Sequence, residues 1–81
     1  MNTAAATFTA KFDALEARAA GYVCTPGPAG ELQQRAKTLI NNRMVTVCRR
    51  DGRVAFYEVE SFDMTIAFCR TRAEAEAAVA A

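Results

Sequence analysis

Three carboxylates gather in the second half of this chain: Glu58, Glu60 and Asp63. On an extended segment Glu58 and Glu60 leave the same face, and Asp63 follows the next bend. Such a group can serve as an acid–base pair, hold a divalent ion, or face a basic partner. No nucleophile, glycine-rich cradle or further ligand lies near it in sequence, so a solvated or partner-facing surface is expected. A second group is basic. Arg49, Arg50 and Arg53 surround Asp51-Gly52, and guanidinium forks match phosphates or carboxylates in bidentate geometry. The third set is Cys24, Cys48 and Cys69, spaced by 24 and 21 residues.

That cysteine spacing contains no CxxC pair, and the chain has no histidine, so a metal site is not expected. Three thiols cannot all pair within one chain. They read as small buried hydrophobes, or alternatively as one exposed thiol, Cys69 or Cys48, that joins two subunits. The absence of histidine also removes mechanisms built on imidazole. No hydroxyl or thiol has a recognisable base beside it, and no cofactor fingerprint is present. The glycines of residues 21–30 lack the lysine and hydroxyl of a phosphate loop. The expectation is a protein without catalysis and without cofactor.

The elements that position these groups follow from periodicity. Phe8, Phe12, Leu15 and Ala19 recur at the spacing of one helical face, which predicts a helix over about residues 7–20 ended by Gly21. Residues 21–30 hold both prolines and three of the four glycines and form a connector. Leu32, Ala36, Leu39 and Ile40 fit a second helical stripe, over about residues 29–41, with Asn41 and Asn42 as its stop. Asp51-Gly52 between β-rich runs is a two-residue hairpin signal. Its simplest register sets Val47 opposite Phe56, Thr46 opposite Tyr57, Met44 opposite Val59 and Arg43 opposite Glu60. One face then carries Val45, Val47, Val54 and Phe56, and the other Met44, Cys48, Ala55, Tyr57 and Val59. A third strand is expected at Met64–Cys69, with Met64, Ile66 and Phe68 on one face. Thr71 and Glu74 have capping-box spacing for a last helix running to about Ala80.

The expected fold is therefore a small single α+β domain covering residues 1–81. Its order is ααβββα, a three-stranded antiparallel meander with helices packed on one face. Of 81 residues, 18 are alanine, and Val, Ile, Leu and Phe together number only 16. The core is thin, and a deep walled pocket is not expected. Three short helices cover one sheet face well, which leaves the other to bury against a copy of the chain or another protein.

The net charge of +1 conceals segregation. Residues 31–53 carry a local +4 and residues 58–63 a local −3. The basic excess is smaller than bare duplex binding by charge alone usually requires. The first dozen residues have no basic stretch followed by an apolar run, and no segment approaches a membrane span. A cytoplasmic protein with no membrane association is expected. Eight arginines against two lysines, with abundant alanine, suggest GC-rich coding.

The last segment, IAFCRTRAEAEAAVAA, resembles the end of double-stranded-RNA-binding domains. Residues 29–81 fit that family's α-β-β-β-α order. The family opens its last helix with a lysine cluster that grips phosphates, whereas Arg70, Arg72, Glu74 and Glu76 sum to zero here. In general character the whole chain also resembles anti-CRISPR proteins, the small phage and mobile-element inhibitors of bacterial immunity. That resemblance implies a non-enzymatic inhibitor that docks on protein subunits of a type I CRISPR surveillance complex in the cytoplasm of a bacterial host and blocks target DNA. Glu58, Glu60 and Asp63 would stand in for phosphates, with Tyr57 and Phe62 as apolar anchors. The alternatives are a small nucleic-acid-binding regulator that uses Arg49, Arg50 and Arg53, and a homodimeric adaptor of a phage or plasmid assembly.

Overall fold

Two consecutive residues in the left-handed region decide the architecture. Asn41 and Asn42 have φ of 52° and 62°, the backbone of a type I′ two-residue hairpin, and asparagine tolerates it better than most side chains. They join a strand before them to a strand after them, with Ile40 opposite Arg43. The segment expected as a second helix over about residues 29–41 is thus a strand. Its apolar residues fit both periods: Ala36 and Ile40 share a helical stripe and also one face of a strand. Tertiary pairing selects the second, and Leu32 and Leu39, the rest of the supposed stripe, are exposed.

The computed structural model describes residues 3–22, 25–26, 28, 30, 32–61 and 64–80. In chain order the elements are helix α1 (Thr3–Gly21), strands β1 (Thr25–Pro26), β2 (Leu32–Ile40), β3 (Arg43–Arg50), β4 (Arg53–Ser61) and β5 (Met64–Cys69), and helix α2 (Arg72–Ala80). The strands form one antiparallel sheet in the order β1-β2-β3-β4-β5. The single α+β domain and its antiparallel meander agree with expectation. The order is one helix, four long strands with one short one, and a helix, in place of ααβββα.

Asp51 and Gly52, with φ of 51° and 84°, make the second tight hairpin, as the sequence predicts. Its tip is tied to the start of β2. The Asp51 amide donates to the Leu32 carbonyl at 2.9 Å, and the Leu32 amide donates to Asp51 Oδ1 at 3.1 Å. Beyond the tip the expected register fails. Cys48 faces Phe56 but Arg49 faces Val54, so Ala55 is an extra residue, a β-bulge. A shift of one exchanges the faces of every residue beyond it. Val47 therefore lies opposite Tyr57 and Thr46 opposite Glu58. Tyr57 and Val59 turn toward the helices, and Phe56 turns away from them. A second irregularity breaks the expected alternation in β5: Val59 pairs with Ala67 and Glu60 with Thr65, which leaves residue 66 as the extra one.

Both helices cover the same face. Phe12, Leu15 and Ala19 of α1 and Ala75 and Val79 of α2 join Ala36, Ile40, Val45, Val47, Tyr57, Val59 and Cys69 in one buried cluster. Phe12 meets Tyr57 edge to face, with ring centroids 6.0 Å apart. Thr71 caps α2 as its spacing predicts: the Glu74 amide donates to Thr71 Oγ1 at 3.2 Å, and that hydroxyl donates to Glu74 Oε1 at 3.1 Å. At the other end of α2, Asn41 Nδ2 donates to the Val79 carbonyl at 2.8 Å and Arg43 donates to it at 3.2 Å. These bonds satisfy a helix end that has no further turn.

One polar network ties the two helices to β4. The Tyr57 hydroxyl donates to Glu16 Oε1 at 2.7 Å, and Arg72 donates to Glu16 Oε2 at 2.7 Å. Arg72 also reaches Asp13 at 2.7 Å, Glu76 at 3.3 Å and the Thr9 carbonyl at 2.9 Å, and its guanidinium lies 5.6 Å from the Phe12 ring centroid. No helix among the described residues is long and apolar enough to cross a membrane.

Candidate open-sheet binding face

With both helices on one side, the other face of the sheet is left open. Pairing arranges its residues in cross-strand rows. Nearest the Asp51-Gly52 tip stand Gln33, Arg50 and Arg53, then Arg35, Cys48 and Phe56. The next row holds Lys37, Thr46, Glu58 and Phe68, and the one beyond it Leu39, Met44 and Glu60. The face grades from cationic at the tip, through an aromatic middle, to a mixed acidic and apolar end.

The middle is built around Phe56. Its ring stacks on Phe68 with centroids 4.8 Å apart and planes 27° from parallel. The guanidinium carbons of Arg35 and Arg50 lie 5.9 and 5.5 Å from the Phe56 centroid, within cation–π range. Phe56 is 9% exposed, whereas Phe68 is 56% exposed. Phe56 therefore acts as a floor that holds Phe68 and the two arginines, and Phe68 offers a flat ring to solvent. Arg35, Lys37, Arg50 and Arg53 enter no ion pair within 4.0 Å among the described residues, and neither do Glu58 and Glu60.

The expected site residues divide between the two faces. Glu58 and Glu60 share the open face, two residues apart, as the strand period requires. Lys37 stands in the same row as Glu58, so the acidic pair is not an isolated negative surface. Asp63 and Phe62 lie outside the described residues. Tyr57, expected as an apolar anchor for a partner, is 2% exposed on the helix side. The bulge at Ala55 put it there, and burial together with the hydrogen bond to Glu16 holds its hydroxyl well above its ordinary pKa of 10.0. The arginine trio also separates. Arg50 and Arg53 face one another on the open face, while Arg49 belongs to the other face and donates back to the Gly52 carbonyl at 2.7 Å. Arg35, from another strand, takes its place beside Arg50.

Neither cysteine considered for an intersubunit bond is accessible. Cys48 is buried under the open face and Cys69 under α2, both as free thiols. Burial, with Glu74 nearby, pushes the Cys69 thiol up. Cys24 lies outside the described residues. Among the described residues no group of three or more His, Cys, Asp or Glu side chains could hold a metal ion. Arg72, at the place of the lysine cluster in double-stranded-RNA-binding domains, is held by carboxylates instead of facing solvent. Against the opposing pull of burial, Asp13, Glu76 and Glu16 keep its pKa above the ordinary value.

Arg35, Lys37, Phe56 and Phe68 did not emerge from sequence reasoning as site residues. A strand at Leu32–Ile40 would have been the signal for the first two, because Arg35 and Lys37 then share a face with alternate residues of the next strand. Compared with family models, curated proteins and solved structures, the chain matches none.

Proposed function

We propose that this chain is a non-catalytic binding module that takes single-stranded nucleic acid on the open face of its sheet. The observation that carries this reading is the Phe68 ring, exposed and stacked on a buried Phe56 that Arg35 and Arg50 flank. Unstacked bases settle on exposed aromatic rings while nearby cations neutralise the backbone, and both are available here within one patch. A duplex hides its base faces, so it could use only the arginines.

The test is fluorescence anisotropy of a labelled eight-nucleotide strand, and of the corresponding duplex, across a salt series. Arg35, Lys37, Arg50 and Arg53 offer at most four phosphate contacts, so log K should fall against log salt with a slope no steeper than about −3. The strand should bind more tightly than the duplex. Equal binding of both would sink the stacking component, and absence of binding would remove the reading.

A second reading is favoured by the other end of the same face, where Leu39 is 59% exposed in the cross-strand row of Met44 and Glu60. Apolar residues rimmed by carboxylates suit a basic protein surface, as for an inhibitor that docks on a type I CRISPR surveillance complex. Pull-down from a bacterial lysate with an active type I system, before and after nuclease treatment, separates the two. A multi-subunit protein complex retained after nuclease supports the inhibitor. Proteins lost on nuclease treatment support the nucleic-acid module.

A further inference from the structure

A groove of about 490 Å³ runs along the β2 side of the open face, lined by Arg18, Tyr22, Arg35, Lys37, Glu58 and Glu60 among others. Its size falls within the range of small-ligand sites. Its outer wall is the end of α1, fastened to β2 by two independent side chains. Arg18 donates to the Lys37 carbonyl, and Gln34 Nε2 donates to the carbonyls of Ala20 and Tyr22 at 3.1 and 2.9 Å. Tyr22 thus has a fixed backbone and an exposed ring, 53% open to solvent.

We infer that this groove is a second nucleobase site, in which Glu58 and Glu60 select bases that carry an exocyclic amino group. The inference rests on the nucleic-acid reading above and gives it a base preference. Phe68 stands on β5 and Tyr22 beside β2, so the two exposed rings lie at opposite sides of the face. Three strand spacings of ~4.8 Å separate β2 from β5, roughly 14 Å in all. A single base cannot touch both rings; a strand running across the sheet can. Between the rings lies the row of Lys37, Thr46 and Glu58. Two carboxylates on a surface meant for phosphates would be a liability if their only role were charge. Their position along the β4 side of the groove, across Thr46 from Lys37, gives them another use. A carboxylate only accepts hydrogen bonds. The cytosine N4 amino group donates, whereas the uracil O4 that replaces it only accepts. A cytosine lying in the groove therefore finds an acceptor in Glu58 or Glu60, and a uracil brings one more oxygen against an oxygen. Arg35 and Lys37, on the β2 side, can meet the phosphates.

The experiment compares fluorescein-labelled oligocytidine and oligouridine, eight nucleotides each, at pH 7.5 and one fixed salt concentration. On the base edge they differ at the 4-position, amino against oxygen, and at N3, which accepts in cytosine and carries a hydrogen in uracil, so the two glutamate variants are needed to assign the preference. The full chain should bind oligocytidine at least ~5-fold more tightly. Glu58→Ala and Glu60→Ala, tested separately, should bring the ratio toward one in at least one case. That variant should leave oligouridine binding unchanged or stronger, because it removes a negative charge. Equal affinity for the two strands in the unmodified chain overturns the inference while leaving the module intact. A ratio that survives both variants, or a gain of equal size for both strands, overturns it as well. If neither strand binds, the inference falls together with the reading on which it rests. The ratio measured on the unmodified chain keeps the inference falsifiable even if a variant does not fold.

Discussion

Phe68 lies over Phe56 at 4.8 Å, yet one ring is mostly exposed and the other almost wholly buried. The pair assigns different work to two residues of the same type. Phe56→Ala should act on stability, at about 3 kcal/mol, because it empties the floor of the face. Phe68→Ala should change the melting temperature little. It should weaken single-strand binding by about 5- to 100-fold, the worth of one stacked base. Thermal denaturation beside anisotropy separates the two effects, and a large loss of stability in Phe68→Ala would contradict the division.

The Arg72 network predicts the opposite pattern. Arg72 joins α2 to three carboxylates and the Thr9 carbonyl, far from the open face. Arg72→Ala should cost on the order of 2 kcal/mol, because Glu16 would keep Tyr57 as a donor but lose its cation. Oligonucleotide affinity should stay within about 2-fold of the unmodified chain, measured where both proteins are folded. A loss of binding with unchanged stability would assign Arg72 to the binding surface instead.

Alkaline stability should report on Tyr57. Its hydroxyl titrates above its ordinary value in the folded chain because of burial and the acceptor Glu16. The unfolded chain ionises first, so stability present below about pH 10 should be lost as pH rises beyond it. Cys69, also raised by burial, contributes in the same direction from about pH 9. Melting temperatures between pH 7 and 11 should decline at the alkaline end. The decline should be shallower in Tyr57→Phe, which starts about 1 kcal/mol less stable at neutral pH through loss of the bond to Glu16.

The hairpin at Asn41-Asn42 offers a test of the architecture itself. Asn42→Gly relieves a left-handed residue and should stabilise by about 0.5 kcal/mol. Asn41→Ala keeps the strained backbone and removes the bond to Val79, so it should destabilise by about 1–2 kcal/mol. A glycine at 42 would also suit a helix end, so the test of the architecture is the loss in Asn41→Ala, whose bond to Val79 belongs to the hairpin. Chemical denaturation of the two variants checks the sign of each change.

Local signals in the sequence were reliable where a single residue type dictates the backbone. Asp51-Gly52 gave its hairpin, Thr71 and Glu74 gave the start of α2, and the Phe8, Phe12, Leu15, Ala19 spacing gave α1, although the helix begins earlier than expected. The strand β2 was not legible because four apolar residues satisfied a period of 3.6 as well as their inward half satisfied a period of 2. Asn-Asn stops a helix or turns a hairpin equally well, and pairing with β3 decided between them. The site was less legible than the fold. Membership of the open face depends on one unpaired residue in β4, which no local propensity marks. Phe56 and Tyr57 exchanged faces with it, and the aromatic floor passed unseen. Glu58 and Glu60 kept a common face because their spacing is unaffected by any shift of register.

The bulge at Ala55 separates two stretches of β4 that would be in phase without it. Arg53 and Phe56 share the open face, Val54 and Tyr57 the covered one, and Ala55 is surplus to the alternation on both sides. Changes of length inside a strand ordinarily turn half of it inside out. Deleting Ala55 would instead join the two stretches into an unbroken ladder with the same pairs on either side. The hairpin carries one residue it can lose without reassigning any of its neighbours.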